Sequence, residues 1–204
     1  MAMRYYGFLL GLTFLQLSAC SSGPKLPPLP ADAVVLAYGD SLTYGTGAAL
    51  NQSYPAVLSN LIGRRVVNAG IPGEITAEGL ARLPETLEQI KPSLVILCHG
   101  ANDLMRGMDQ RRAADNLRAM LNLIRERGAS AVLVSVPAIG LSLSPPPFYA
   151  QVAAETGIPC EQKVFSRILG KRSLKADMVH PNGAGYKIIA ETLADLLRRS
   201  GALP

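Results

Sequence analysis

Apolar positions come in two alternating patterns along most of the chain. Residues 34–38 form an unbroken apolar run that stops at Gly39, which predicts a strand buried on both faces. Residues 54–62 place Val57, Leu58, Leu61 and Ile62 on one side of a helix, and residues 65–68 read as a second strand. A helix follows over 76–90, with Leu80, Leu83, Leu87 and Ile90 at helical spacing and Pro92 closing it off. Residues 94–98 predict the third strand, 109–126 the longest helix, and 131–136 a fourth strand stopped by Pro137. A short fifth strand begins within 157–160, and residues 184–197 form the last helix, with Asn182 as its cap. Strands separated by helices imply right-handed crossovers and a parallel sheet between helix layers. In such a sheet, reactive groups gather beyond the strands' carboxyl ends.

Residues 1–20 do not follow this pattern. Arg4 precedes an apolar run over 8–15, and Leu17-Ser18-Ala19-Cys20 ends it. That is the layout of a secretory signal, too short to span a bilayer comfortably. The small pair before Cys20 resembles the lipobox of bacterial lipoproteins. The resemblance implies a signal peptide over 1–19 and a lipid on the Cys20 thiol of an exported chain, and Ser21 after that Cys is compatible with export to the periplasmic face of an outer membrane. Residues 21–30, SSGPKLPPLP, hold four prolines and can form neither helix nor central strand. With Cys20 they read as an extended spacer of roughly 30 Å, leaving 31–204 as the domain.

Composition narrows the class further. The chain has 204 residues, 49% hydrophobic and 17% charged, with a formal net charge of +5. That suits one globular domain and excludes a disordered chain. Basic residues occur as dispersed pairs such as Arg64-Arg65, Arg111-Arg112 and Arg198-Arg199. A nucleic-acid surface needs a concentrated stripe or stacking aromatics, so no nucleic-acid partner is expected.

Four segments at the expected carboxyl ends carry unusual residues: GDSLTYG from Gly39, NAGIPGE from Asn68, GAND from Gly100 and DMVHPNG from Asp177. Together they supply the parts of an acyl-transfer site. Ser41 offers a hydroxyl on a glycine-flanked turn, although serine is also a frequent helix cap. A hydroxyl needs a base, and imidazole has a suitable pKa. Of the two histidines, His180 has Asp177 three positions earlier to hold its second nitrogen. Pro181 biases His180 toward an extended backbone. Gly70 and Gly73 let backbone N–H groups face an oxyanion, and Asn102 adds a side-chain amide.

These blocks, in this order over residues 39–183, resemble the four motifs of the GDSL, or SGNH, hydrolase family. The resemblance implies a three-layer α/β/α sandwich with a five-stranded parallel sheet in the flavodoxin-like order 2-1-3-4-5. It implies Ser41 as nucleophile, Asp177 and His180 as acid and base, and Ser41 N–H, Gly73 N–H and Asn102 as oxyanion donors. The segment GLARLP at 79–84 is similar to periplasmic members with thioesterase, lysophospholipase and arylesterase activity. Ala101 departs from the pattern, where relatives often carry Gly. The expected activity is hydrolysis of carboxylic esters or thioesters through an acyl-serine. The alternatives are an O-acetylesterase acting on polysaccharide or peptidoglycan, and a non-catalytic surface lipoprotein that binds glycan or protein.

The remaining polar residues read more plainly. His99 shares its turn with no carboxylate at the Asp-x-x-His spacing, so it is a packed or loop-orienting histidine. Asp40 and Asp103 read as loop organisers, and Glu74 as a carboxylate at a helix N-terminus. The Gly39–Gly47 segment has no Lys, which excludes a phosphate loop. No zinc-ligand spacing recurs, and no metal or cofactor is expected. In the implied sheet order, strand 4 separates Cys98 from Cys160. Two strand spacings, about 9.6 Å, exceed the roughly 7 Å limit for a bridge, so both thiols are expected free and largely buried. The apolar segment over 138–150 is a candidate wall for an acyl pocket.

Overall fold

The structure is a computed structural model that describes Met1, residues 23–138 and residues 143–204. Cys20, the signal-like segment and residues 139–142 of the candidate pocket wall lie outside the described residues.

Five parallel strands lie side by side in the order β2-β1-β3-β4-β5. They are β1 Val34–Gly39, β2 Arg65–Gly70, β3 Leu94–Cys98, β4 Ser130–Val134 and β5 Cys160–Glu161. Strand β1 pairs with both β2 and β3, with Gly39 level with Gly70 on one side and Cys98 on the other. All of β3 and most of β1 and β4 are buried, which explains their continuous apolar sequence. Strand β2 is half-exposed, as an edge strand carrying Arg65 and Asn68 must be.

Helices cover both faces. On one face α2 (Tyr54–Ile62) packs on α8 (Gly183–Arg199). On the other, α3 (Thr76–Ile90) packs on α5 (Gln110–Glu126), and α5 on α6 (Phe148–Thr156). The three-layer sandwich and strand order match the sequence expectation. Asn182 caps α8 by accepting the Gly185 N–H at 3.0 Å. Among the described residues there are also three short α-helices, α1 (Ser41–Tyr44), α4 (Ala101–Met105) and α7 (Val164–Leu169), and two 3-10 turns at Leu50–Gln52 and Arg172–Leu174.

Two expectations require correction. Residues 25–30 are neither helix nor strand, yet they do not reach away as a spacer. Leu26 and Leu29 are buried, and their N–H groups donate to Ser200 and Ala202 carbonyls at 2.8 and 2.9 Å. Arg64 Nε donates to the Pro30 carbonyl at 2.7 Å. The stretch is a strap on the domain, which therefore begins before residue 31. Prolines remove donors the strap does not need, while two leucines at the right spacing find apolar cover.

The second correction concerns the segment after β4. The candidate wall over 138–150 runs into a helix the sequence pattern does not predict, α6 from Phe148, with Phe148, Tyr149, Val152 and Ala153 buried. Cys98 and Cys160 are free thiols on either side of β4, the first buried and the second partly so.

Candidate active site

Strand β1 ends centrally in the sheet, and its last residue must let the chain turn at once into α1. A side chain at Gly39 would collide with the Cys98 carbonyl, and one at Gly70 with the Tyr44 backbone. Two glycines therefore bring α1 tight against the ends of three strands. Asp40 caps α1 by accepting the Leu42 N–H at 3.0 Å. Ser41 is thus the first residue of the helix and not its cap, with its backbone N–H on the electropositive end. Burial pushes the Asp40 carboxyl up from its ordinary range, and its Oδ2 has no hydrogen-bond partner among the described residues.

His180 arrives from the far end of the chain. Its loop is closed by the Ala176 N–H on the His180 carbonyl at 3.0 Å and by Asn182 Nδ2 on the Ser173 carbonyl at 2.9 Å. Tyr186 donates to the Thr46 carbonyl at 2.8 Å, which ties the start of α8 to the segment after α1. The result is a continuous hydrogen-bonded chain. Ser41 Oγ lies 3.0 Å from His180 Nε2, and His180 Nδ1 lies 2.7 Å from Asp177 Oδ2. Asp177 Oδ1 accepts the N–H groups of Val179 and His180, each at 2.8 Å.

The carboxylate accepts a hydrogen bond from Nδ1–H and so leaves the Nε2 lone pair facing the hydroxyl, the tautomer needed to remove a proton from Ser41. Partial burial pushes the Asp177 carboxyl up, but its bonds to His180 and to the two backbone N–H groups outweigh this and hold it below the ordinary carboxylate range.

Beside Ser41 and His180 lies a cavity of about 20 Å³, room for about one water molecule, lined by Leu42, Met105, Val136, Pro137, Leu169 and Val179. Its apolar wall comes from just before the 138–150 segment and from α7. The prolines of that segment face elsewhere: Pro145, Pro146 and Pro147 line a separate hollow with Lys163. Among the described residues, no cluster of three or more His, Cys, Asp or Glu side chains could hold a metal.

The remaining sequence candidates sit around this chain. Gly73 has φ +83°, a conformation that favours glycine, and its carbonyl accepts Arg106 Nη2 at 2.8 Å. Asn102 is buried on α4 and donates to the Glu74 carbonyl at 2.9 Å. Asp103 organises loops across a longer distance than expected, accepting the Thr76 N–H at 2.9 Å and its hydroxyl at 2.6 Å.

Glu74 departs from the expectation. The carboxylate at the start of α3 is Glu78, which accepts the Ile75 N–H at 3.0 Å. Glu74 instead turns inward to Arg82 at 2.6 Å and His99 at 3.0 Å. His99 is fully buried and does not line the cavity. Sequence reading missed this cluster because its members lie on three separate segments, and nothing in their local patterns marks them.

A parallel α/β sandwich with a serine, a histidine and an aspartate hydrogen-bonded in series beyond its strands defines a class, the α/β serine hydrolases. Residues 37–188 match the GDSL-like lipase/acylhydrolase family, and the chain belongs to that family as an ester-hydrolysing serine hydrolase. It is 35% identical over 161 residues to the esterase TesA of Pseudomonas aeruginosa, covering 76% of this chain and 73% of that protein. It is 30% identical over 172 residues to thioesterase 1/protease 1/lysophospholipase L1 of Escherichia coli, covering 80% and 83%. An arylesterase of Vibrio mimicus is 36% identical over 111 residues. This chain spans just over half of that protein's length, 56%. A crystal structure of TesA superimposes with a TM-score of 0.72 at 30% identity, covering 81% of this chain and 98% of that one.

Proposed function

We propose that this chain hydrolyses carboxylic esters and thioesters of apolar acyl groups through an acyl-Ser41 intermediate. Ser41 Oγ attacks the carbonyl carbon as His180 Nε2 takes its proton, and Asp177 keeps the imidazole oriented. The tetrahedral oxyanion is held by the N–H groups of Ser41 and Gly73 and by the Asn102 amide. His180 returns the proton to the departing alcohol or thiol. A water molecule, deprotonated by the same imidazole, then releases the acid and restores Ser41. The observation that carries this reading is the 3.0 Å and 2.7 Å hydrogen-bonded chain from Ser41 through His180 to Asp177.

An apolar substrate is supported by the surface as well as by the cavity wall. Tyr44, Ile71, Met105 and Met178 are exposed; Tyr44 ends α1, which carries Ser41, Met105 ends α4, which carries Asn102, Ile71 precedes Gly73, and Met178 precedes His180. Exposed methionine, isoleucine and tyrosine side chains next to the site residues in sequence suit acyl, aryl or lysophospholipid esters better than sugar acetates. The test is kcat/KM across p-nitrophenyl esters of increasing acyl length, an acyl thioester, a lysophospholipid and an acetylated glycan. Preference for an apolar acyl group is expected, with none of these turned over by Ser41→Ala. Preference for the acetylated glycan overturns the reading.

The exported, lipid-anchored state is also proposed, on the lipobox-like LSAC ending at Cys20. With the strap bound from Lys25 onward, the tether is a few residues long, so the domain sits close to the membrane at the outer membrane's periplasmic face. Cys20→Ala is expected to move the protein from the membrane fraction to the soluble fraction.

A further inference from the structure

The proposed oxyanion donors come from different elements: Gly73 follows β2, and Asn102 sits on α4 after β3. Such donors act together only when held within about 0.5 Å of their productive positions. Glu74 joins the two. Its backbone carbonyl accepts Asn102 Nδ2 at 2.9 Å, which occupies one amide hydrogen and fixes the direction of the other. Being the residue after Gly73, it also sets where that turn lies.

Its carboxylate is held from both sides. Oε1 accepts Arg82 Nε at 2.6 Å, and Oε2 accepts Arg82 Nη2 at 2.8 Å and His99 Nε2 at 3.0 Å. Arg82 Nη2 also donates to the Ala69 carbonyl of β2 at 2.8 Å, and its guanidinium lies 4.1 Å from the Tyr38 ring centroid. On the other side, His99 Nδ1 accepts the Gly100 N–H at 3.1 Å, so the ring proton is on Nε2 and points at Glu74. Gly100 is the residue from which α4 starts. The carboxylate therefore clamps the end of β2 to the start of the Asn102 helix.

Space for this clamp is built into α3. A side chain at Gly79 would collide with the His99 ring, and glycine inside a helix weakens it relative to alanine. A surface ion pair between Glu74 and Arg82 would need neither the gap nor the buried imidazole.

We infer that Glu74 is the positioning residue of the oxyanion hole, locking the Asn102 amide and the Gly73 turn through its carbonyl and its His99- and Arg82-bound carboxylate. The inference rests on the acyl-Ser41 reading above. It is tested with Glu74→Gln and His99→Leu, measuring kcat and KM for p-nitrophenyl butyrate per site titrated with a fluorophosphonate, so that only folded, reactive enzyme is counted. In Glu74→Gln, kcat is expected to fall on the order of 30- to 100-fold, with KM within about twofold because ground-state binding does not use the oxyanion donors. In His99→Leu the fall is about tenfold, the Arg82 half of the clamp remaining. The pH profile of kcat/KM should keep its shape, because His180 and Asp177 are untouched.

Unchanged kcat per titrated site in both variants overturns the inference, as does a loss carried entirely by KM. If Glu74→Gln does not fold, His99→Leu decides alone. Wild-type protein that does not react with the phosphonate at Ser41 would instead refute the hydrolase reading, and the inference with it.

Discussion

The protein contains two histidine–carboxylate pairs, one at the mouth of the sheet and one beneath it, and they are put to opposite uses. His180 and Asp177 lie at the surface, with side chains 17% and 52% exposed. His99 and Glu74 are 0% and 5% exposed. In the first pair, the carboxylate accepts a hydrogen bond from Nδ1–H and leaves an Nε2 lone pair facing Ser41. In the second, Nε2–H is spent on Glu74, and Nδ1 is spent on the Gly100 N–H. A histidine next to a carboxylate becomes a base only if its second nitrogen keeps a free lone pair within reach of a proton donor. His99 has none to offer, and it is fully buried.

The largest difference between the pairs should appear when each carboxylate is neutralised. Asp177→Asn removes the acceptor that selects the His180 tautomer, and kcat should fall by about 10³-fold or more. Exposure of Asp177 lets water substitute in part, which places the loss toward the lower end of the range for such aspartates. Steady-state kinetics per titrated site give the number, and a loss under tenfold would show that Asp177 is not what orients His180.

Asn102→Ala comes next. Removal of one proposed oxyanion donor should cost about 10²–10³-fold in kcat with KM nearly unchanged, a larger effect than loosening the same amide through Glu74→Gln. Reversal of that order would make Glu74 more than a positioning group.

Acid separates the pairs by stability instead of rate. Burial pushes the Glu74 carboxyl up, but the bonds from His99 and Arg82 outweigh it and hold it below the ordinary carboxylate range. A carboxyl lowered in the folded chain contributes stability that is complete above its unfolded pKa, about 4.3, and that disappears as pH falls through the folded value. Urea midpoints should therefore drop below about pH 4.3 in the wild type and drop less in Glu74→Gln. Asp177→Asn should flatten the acid limb little, since its exposed carboxylate is screened by solvent. Equal flattening by both substitutions would erase the distinction drawn between the two pairs.

The smallest expected effect lies away from both pairs. Leu29→Ala on the strap should lower stability by about 2 kcal/mol and leave kcat per titrated site unchanged, because the strap meets the domain at Ser200 and Ala202 and not at the catalytic loops.

The surface pair could be read from the chain, and the buried pair could not. Asp177 and His180 lie three residues apart, so one loop presents both, and the block containing them comes with Pro181 and Asn182 to mark its turn. Strong periodicity likewise set α2, α3 and β3 at the residues where the structure has them. Glu74 and His99 are 25 residues apart, on segments that leave β2 and β3 and meet across the end of β1, which lies between those strands. A test for a carboxylate on the same turn as His99 could not find one arriving from another strand's end. Helix α6 was missed for a local reason. Three prolines precede Phe148, and the apolar residues that follow are too few to reveal a helical period against that background. The strap was misjudged because its proline content fixes the backbone shape but says nothing of what Leu26 and Leu29 rest on.

The most direct measurement of the central claim is phosphonylation of the wild-type protein by a fluorophosphonate, followed by intact mass and peptide mapping. One adduct per chain is expected, on Ser41, at a rate that falls sharply in His180→Ala and is retained in His99→Leu. A folded protein that takes no label, that takes it on another residue, or whose labelling depends on His99 and not on His180 would contradict the assignment of nucleophile and base.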